Sequence, residues 1–222
     1  MKSDSPRFWT LAPSLLVGCV GLSCFLLTLA MISSRGQRLC SSCLLSRPEL
    51  LSLQVIIECI GAAGAGWVAV KVIRRRAGEG FWNSIQWRQS TKQVAVSGAI
   101  GLCASVLMRY AMTGRFTLWL NGGVGINRLF LLIFIGTVIL QPFIEEVYFR
   151  GILFCGLRSR FNSWVSVAIV TLIFVALHAQ HQWIVLPIGI LLGAVRVIAG
   201  STCNCFALHL SYNLGVVLWG IR

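Results

Sequence analysis

The sequence predicts an all-α membrane protein, a polytopic bundle of about seven transmembrane helices, within a range of six to eight. Of its 222 residues, 57% are hydrophobic and only 11% are charged, which excludes an ordinary soluble domain. The mean hydropathy is +0.82. Several apolar runs are long enough to cross about 30 Å of hydrocarbon, and the basic residues lie mostly between those runs.

The predicted spans follow these runs along the chain. They cover 11–32, 50–73, 94–112, a fourth run that opens at Arg128, and then 165–178, 184–199 and 205–219. The first run is too long for the apolar part of a signal peptide, so we interpret it as an uncleaved anchor. Because no linker or repeat divides the chain, we expect one integral membrane domain over 1–222, with a motif-bearing core at about 127–222.

The net charge of +13 predicts orientation rather than nucleic-acid binding, since no basic stripe is interleaved with aromatic residues on a polar surface. The densest basic segment, 71–92, is expected in the cytoplasm, together with the N-terminus and the turn near 158–160. We also count Arg150 and Arg196 as helix-end charges on that side. The predicted location is a prokaryotic plasma membrane, where such charges contact anionic lipid headgroups.

Two carboxylates and an arginine follow the uncharged run 129–140. A charge within an apolar span costs at least ~2.5–3.5 kcal/mol, so these residues are candidates for function. Glu146 and Arg150 are four residues apart on one helical face, which predicts an ion pair. Glu145 points elsewhere and is expected to have no partner in its own helix, which suits a general base. A buried ion-pair network that only fixes helix packing is the alternative.

Two histidines in later apolar runs have polar or aromatic residues one turn away. His178 follows Phe174 by four residues, and His209 precedes Asn213 by four. A single histidine on an apolar helix is more often a core residue than a catalyst. However, the turn centred on 161–162 returns His178 to the depth of the glutamates. Polar groups that meet inside a bilayer need a shared water-filled cavity, so we expect these side chains to converge.

Three short motifs on successive spans together carry a family resemblance. They are Glu-Glu-x-x-x-Arg at Glu145, Glu146 and Arg150, Phe-x-x-x-His at Phe174 and His178, and His-x-x-x-Asn at His209 and Asn213. In this order and spacing the chain resembles the CPBP family, the CAAX-protease and bacteriocin-processing intramembrane proteases, which are related to the type II CAAX prenyl endopeptidase. The resemblance covers about the C-terminal third of the chain, and the N-terminal half resembles the family only in hydropathy.

The resemblance implies an intramembrane endopeptidase of the glutamic type. Glu145, with His178, would activate a water for attack on a peptide carbonyl. His209 and Asn213 would donate hydrogen bonds to the developing oxyanion, which is usually the largest contribution to catalysis. The implied catalytic set is Glu145, Glu146, His178, His209 and Asn213, with Arg150 and Phe174 in support.

No cofactor or metal is expected in this reading, and zinc is the alternative. Histidine and carboxylate side chains could bind zinc, and His181 offers a further ligand three residues after His178. That spacing, with no glutamate between the two histidines, is not the pattern of zinc peptidases. Cys40 and Cys43 lie in the predicted first loop, where we expect loop or packing cysteines rather than half of a metal site or disulfide.

The expected partners are the lipid bilayer and a membrane-embedded or lipid-anchored protein or peptide substrate, with no nucleic acid. The alternative function is a non-catalytic membrane binding protein, or a bacteriocin-immunity protein, of the same fold. A transporter with a proton-relay carboxylate is less favoured, because the chain shows no inverted repeat.

Overall fold

The computed structural model describes residues 9–20, 80–114, 134–178 and 182–219, together with the isolated positions 23, 56, 60, 61, 64, 67, 71 and 131. Every regular element among these residues is helical, which confirms the all-α prediction. The helices are α1 (Leu11–Val20), α2 (Phe81–Ser84), α3 (Thr91–Thr113), α4 (134–158), α5 (Ser163–Ala176), α6 (Gln182–Ala199) and α7 (Thr202–Trp219).

Two of the described helices, α3 and α6, are long and apolar enough to cross a membrane. The helices α1 and α5 are apolar but shorter over their described residues. The described part of the chain therefore indicates a membrane protein with two candidate spans, and it does not confirm the predicted number of about seven. Two other predicted spans are too short or too polar to count as candidates, since α5 has only 14 residues and α7 carries polar side chains along its length.

Helix α4 carries the glutamates and changes its hydrogen-bond register along its length. It is π-helical over Phe134–Leu140, α-helical over Gln141–Glu146, π-helical over Val147–Leu153 and α-helical over Phe154–Arg158. The junction residues keep right-handed helical angles, so the helix is continuous. Such π-helical turns occur frequently at functional sites. Here they flank the α-helical stretch that bears the glutamates.

Glycines allow the longest helices to approach closely. A methyl group at Gly101 of α3 would clash with the backbone carbonyl of Leu208 in α7. A methyl group at Gly193 of α6 would clash with Val167 of α5. Small residues at contacts of this kind are typical of helix packing in lipid. These two contacts hold α7 and α6 against the rest of the bundle.

The aromatic segment 81–87 that precedes α3 is partly buried. In the structure Ile85 is fully buried, and its carbonyl accepts a 2.6 Å hydrogen bond from Oγ1 of Thr202. Ser84 is also buried and accepts a 3.1 Å hydrogen bond from Nε1 of Trp9. Trp82 remains 46% exposed. Through these two hydrogen bonds, the segment links the start of the described chain to the start of α7.

Arg150 and Arg196 were predicted as helix-end charges, and the structure places Arg196 in the last turn of α6 but Arg150 within α4. Each is only 1% exposed. Nε of Arg196 donates a 2.8 Å hydrogen bond to the carbonyl of Arg150, and its guanidinium lies 4.8 Å from the ring centre of Phe154. A second nitrogen of Arg196 donates to the side chain of Gln86. Both arginines are neutralised or hydrogen-bonded inside the protein, so neither guanidinium is exposed at the surface.

Candidate active site

Glu146 is the most deeply buried member of the predicted site. Its side chain has no exposed surface, and Oε1 accepts hydrogen bonds from Nη1 of Arg150 at 3.0 Å and Nδ1 of His209 at 2.8 Å. The i,i+4 ion pair is therefore present, while the contact with His209 was not predicted. Arg150 also lies 4.4 Å from the ring centre of Phe174 and donates a long 3.5 Å hydrogen bond to the carbonyl of Gly189.

Glu145 has a partner in its own helix, contrary to the prediction. Nε2 of Gln141 donates a 2.9 Å hydrogen bond to Oε1 of Glu145. The prediction failed because it considered charged partners only, whereas a neutral amide one turn earlier can also donate to a carboxylate. The other oxygen, Oε2, is buried and accepts no hydrogen bond within the described part of the chain.

Two imidazoles face the carboxylate of Glu145 without bonding to it directly. Nε2 of His178 lies 3.8 Å from Oε1, and Nε2 of His209 lies 3.8 Å from Oε2. A separation of 3.8 Å is too long for a hydrogen bond but accommodates a water about 2.8 Å from both atoms. The side chains of His178 and Glu145 are 26% and 16% exposed, so this gap is open to water.

Each imidazole is oriented through its Nδ1 atom. Nδ1 of His178 lies 2.7 Å from the carbonyl of Phe174, which can only accept, so Nδ1 carries a proton. In the neutral ring of His178, Nε2 then bears the lone pair that faces Glu145. Nδ1 of His209 likewise faces the paired carboxylate of Glu146 and carries a proton there. These protonation states are inferred from the partners.

Asn213 does not reach the carboxylates. Its Nδ2 atom donates a 2.9 Å hydrogen bond to the carbonyl of Thr137 in the first π-helical stretch of α4. Pro142 has no backbone N–H, so one carbonyl in the preceding turn of α4 cannot receive a hydrogen bond from it. The structure thus brings Glu145, Glu146, His178 and His209 together and places Asn213 one turn further along α7. One amide N–H of Asn213 remains for another acceptor.

The two imidazoles and the guanidinium of Arg150 lie around the ring of Phe174. It is 1% exposed, and its ring centre lies 4.5 Å from that of His178 and 6.1 Å from that of His209. Phe149 contacts its other side at 5.1 Å. A change in the position of this ring would move both histidines, and the supporting role of Phe174 in catalysis stays a prediction.

A metal site was the open alternative. Within the described ranges, no group of three or more His, Cys, Asp or Glu side chains is arranged to hold a metal ion. The predicted residues His181, Cys40 and Cys43 lie outside the described residues. The absence of a cofactor and the zinc alternative both stay predictions.

Two residues near the site were missed by reasoning from sequence. Gln141 precedes Glu145 by four residues, the same spacing that identified the pair of Glu146 and Arg150, so the signal was available. Arg196 lies in an apolar run, which by itself marks an ionisable residue as a candidate for function. Arg196 donates a hydrogen bond to the carbonyl of Arg150 and thereby restrains the second π-helical stretch.

Comparison with known proteins identifies relatives of the segment that contains the site. Residues 127–215 match the model of a protein family described as type II CAAX prenyl endopeptidase Rce1-like. An Escherichia coli protein described as an uncharacterized 24.3 kDa protein is 32% identical over 89 residues, which are 37% of this chain and 41% of that protein. The chain thus spans about two fifths of this relative's length. No solved structure gives a significant match.

Proposed function

We propose that this chain, whose residues 127–215 match the Rce1-like family of type II CAAX prenyl endopeptidases, is an intramembrane endopeptidase of the glutamic type. It would hydrolyse a peptide bond in a membrane-embedded or lipid-anchored protein or peptide. The family as a whole supports a protease that acts on membrane-associated proteins. The residue roles and the metal-free mechanism below are our proposal.

The observation that carries the proposal is the 3.8 Å separation between Glu145 and His178, which a water lying to one side of both atoms can bridge. Nε2 of His178 and Oε1 of Glu145 are 3.8 Å apart, both side chains are partly exposed, and both atoms can accept a proton. A water in this gap would donate one hydrogen to each acceptor and direct its lone pairs outward. A purely structural ion pair does not need a second, partly exposed carboxylate beside an imidazole with a free lone pair.

The proposed reaction begins when the oxygen of this water attacks the peptide carbonyl carbon. One water proton passes to Glu145, with His178 accepting a hydrogen bond from the other hydrogen. The carbonyl oxygen becomes an oxyanion in the tetrahedral intermediate. The C–N bond then breaks, and the proton held by Glu145 passes to the leaving amine. The products are a carboxylic acid and an amine, which exchange a proton to give a carboxylate and an ammonium group, so no other co-reactant is required.

His209 and Asn213 are the proposed donors to the oxyanion. Because Nδ1 of His209 donates to Glu146, its Nε2 atom can donate only when the ring is an imidazolium. Two carboxylates and one guanidinium surround this ring, so the added positive charge would make the cluster electrically neutral. Asn213 would contribute the amide N–H that Thr137 does not occupy.

The membrane arrangement that we propose has about seven spans, in a range of six to eight, with the N-terminus in the cytoplasm of a prokaryotic cell. Three chain segments that this topology places inside meet at one end of the described bundle. The carbonyl of Arg88 accepts a 2.6 Å hydrogen bond from Oγ of Ser201, and Trp9 donates to Ser84. This contact between the start of the chain, the 80–90 segment and the α6–α7 turn supports one common side.

The experiment that tests the function compares membrane proteomes for new peptide ends. Cells that express the wild-type chain, His178→Ala or no chain are compared by mass spectrometry of protein termini. We expect a membrane-associated peptide that is cut only with the wild-type chain and accumulates uncut otherwise. Identical termini in all three samples, together with capture of an intact peptide by both forms of the chain, would favour the non-catalytic binding or bacteriocin-immunity alternative.

A further inference from the structure

Gln141 makes the one direct hydrogen bond that Glu145 receives within the described part of the chain. Its Nε2 atom lies 2.9 Å from Oε1 of Glu145. The imidazoles of His178 and His209 stand at 3.8 Å, beyond hydrogen-bond distance. Oε2 is buried without a partner. The orientation of this carboxylate therefore depends on the Gln141 amide.

The backbone on both sides of Gln141 is restrained, although the residue lies in an apolar run. It opens the short α-helical stretch between the two π-helical ones, and Pro142 follows it. The preceding stretch is held to α7 by the hydrogen bond from Asn213 to the carbonyl of Thr137. Gln141 and Glu145 both lie in this α-helical stretch, where residues four apart share a face, so the amide can reach the carboxylate.

We propose that Gln141 is a positioning residue for Glu145, an inference that rests on the proposed endopeptidase function. By donating to Oε1, the amide selects one rotamer of a side chain that otherwise rotates about three bonds. That rotamer keeps Oε1 beside the gap that faces His178. The amide cannot accept the proton released by water, so the proton passes to the carboxylate or the imidazole. Gln141 thus acts through Glu145 and does not take part in bond making.

The test measures kcat and KM for a cleavable membrane peptide with purified full-length variants. Gln141→Met keeps the length of the side chain and removes the donor. We expect kcat to fall about ten- to a hundredfold, the range for losing a hydrogen bond to a charged group, with KM unchanged within about threefold. The matched control is Gln89→Met in the exposed segment before α3, which should match the wild type in both constants.

A second pair of variants separates positioning from general packing. In the Glu145→Asp background the carboxylate is one methylene shorter and lies beyond the reach of the amide. Adding Gln141→Met there should change kcat by less than about threefold, because the two side chains are already uncoupled. An equal loss in both backgrounds, or a wild-type kcat for Gln141→Met alone, would overturn the positioning role.

Gln141→Glu keeps the inference testable if the methionine variant fails to accumulate. It retains the size and polarity of the side chain but places a carboxylate beside Glu145, so kcat should fall at least as far. Wild-type turnover in this variant would also overturn the proposal. Failure of the proposed function is distinguishable, because the wild-type chain itself would then cleave no peptide, whatever residue occupies position 141.

Discussion

Nδ1 of His209 lies 2.8 Å from Oε1 of Glu146, so a carboxylate of α4 holds an imidazole of α7. The same oxygen also accepts from Arg150 at 3.0 Å. Glu146 is therefore a bridge between a guanidinium and a histidine that faces Glu145. Removing this carboxylate would leave both Arg150 and His209 without their partner. We therefore expect changes at Glu146 to affect both stability and activity.

The first prediction concerns this bridge. Glu146→Gln or Arg150→Leu should lower the free energy of unfolding by about 3–5 kcal/mol, because each leaves an uncompensated charge in a buried site. The measurement is the thermal unfolding midpoint of purified protein in detergent. Arg160→Leu is the control, since Arg160 is exposed at the end of α4. Midpoints equal to that of the wild type in both variants would contradict the structural importance of the pair.

A second prediction tests the packing of α3 against α7. Gly101→Ala should destabilise the protein by about 1–3 kcal/mol, because the added methyl group meets the backbone carbonyl of Leu208 and cannot be accommodated by rotation of a side chain. Gly64→Ala is the matched control, since no atom of the described residues lies within 4 Å of a Cβ at that position. An unfolding midpoint unchanged by Gly101→Ala would mean that these helices are not in contact.

The third prediction concerns the oxyanion donors. His209→Ala and Asn213→Ala should each lower kcat about a hundred- to a thousandfold with smaller changes in KM, because an oxyanion gains charge only in the transition state. The double variant should lose less than the sum of the single losses. Tyr212→Phe is the control between them, since its hydroxyl is buried without a hydrogen bond in the described residues.

A different kinetic result would assign these two residues another role. A large rise in KM with unchanged kcat would show that they bind substrate and do not stabilise the oxyanion. For Asn213, a lower unfolding midpoint without a kinetic effect would show that its hydrogen bond to Thr137 is its main contribution.

A fourth prediction addresses the zinc alternative. Activity should survive incubation with a strong zinc chelator, because a water held by Glu145 and His178 needs no metal. Cleavage of the test peptide is measured before and after chelation and again after zinc is added. Loss of cleavage that zinc restores would make the protein a metalloprotease, with His178, His209 and a glutamate as the expected ligands.

Much of the fold could be predicted from sequence because apolar runs mark helices. The predicted runs 94–112, 165–178, 184–199 and 205–219 correspond to Thr91–Thr113, Ser163–Ala176, Gln182–Ala199 and Thr202–Trp219. Each helix begins two or three residues earlier than predicted. Seven of the ten added residues are polar, and hydropathy excludes such residues although they can form the first turn of a helix.

The site was predictable where spacing along one helix decides contacts. The pair of Glu146 and Arg150 followed from an i,i+4 spacing, and equal distances from the α4–α5 turn brought His178 to the depth of Glu145. The π-helical stretches, the burial of Arg196 and the donation from Asn213 to Thr137 were not predictable. They depend on how α4 is rotated against α6 and α7, which no local pattern specifies.

The central claim is that Glu145 activates the attacking water, and the most direct measurement is the kcat of Glu145→Gln. This variant keeps the shape of the side chain and can still accept from Gln141, but it cannot take a proton. We expect peptide cleavage to fall below detection while the unfolding midpoint and membrane insertion stay at wild-type values. Wild-type turnover by Glu145→Gln, purified to the same yield, would contradict the account.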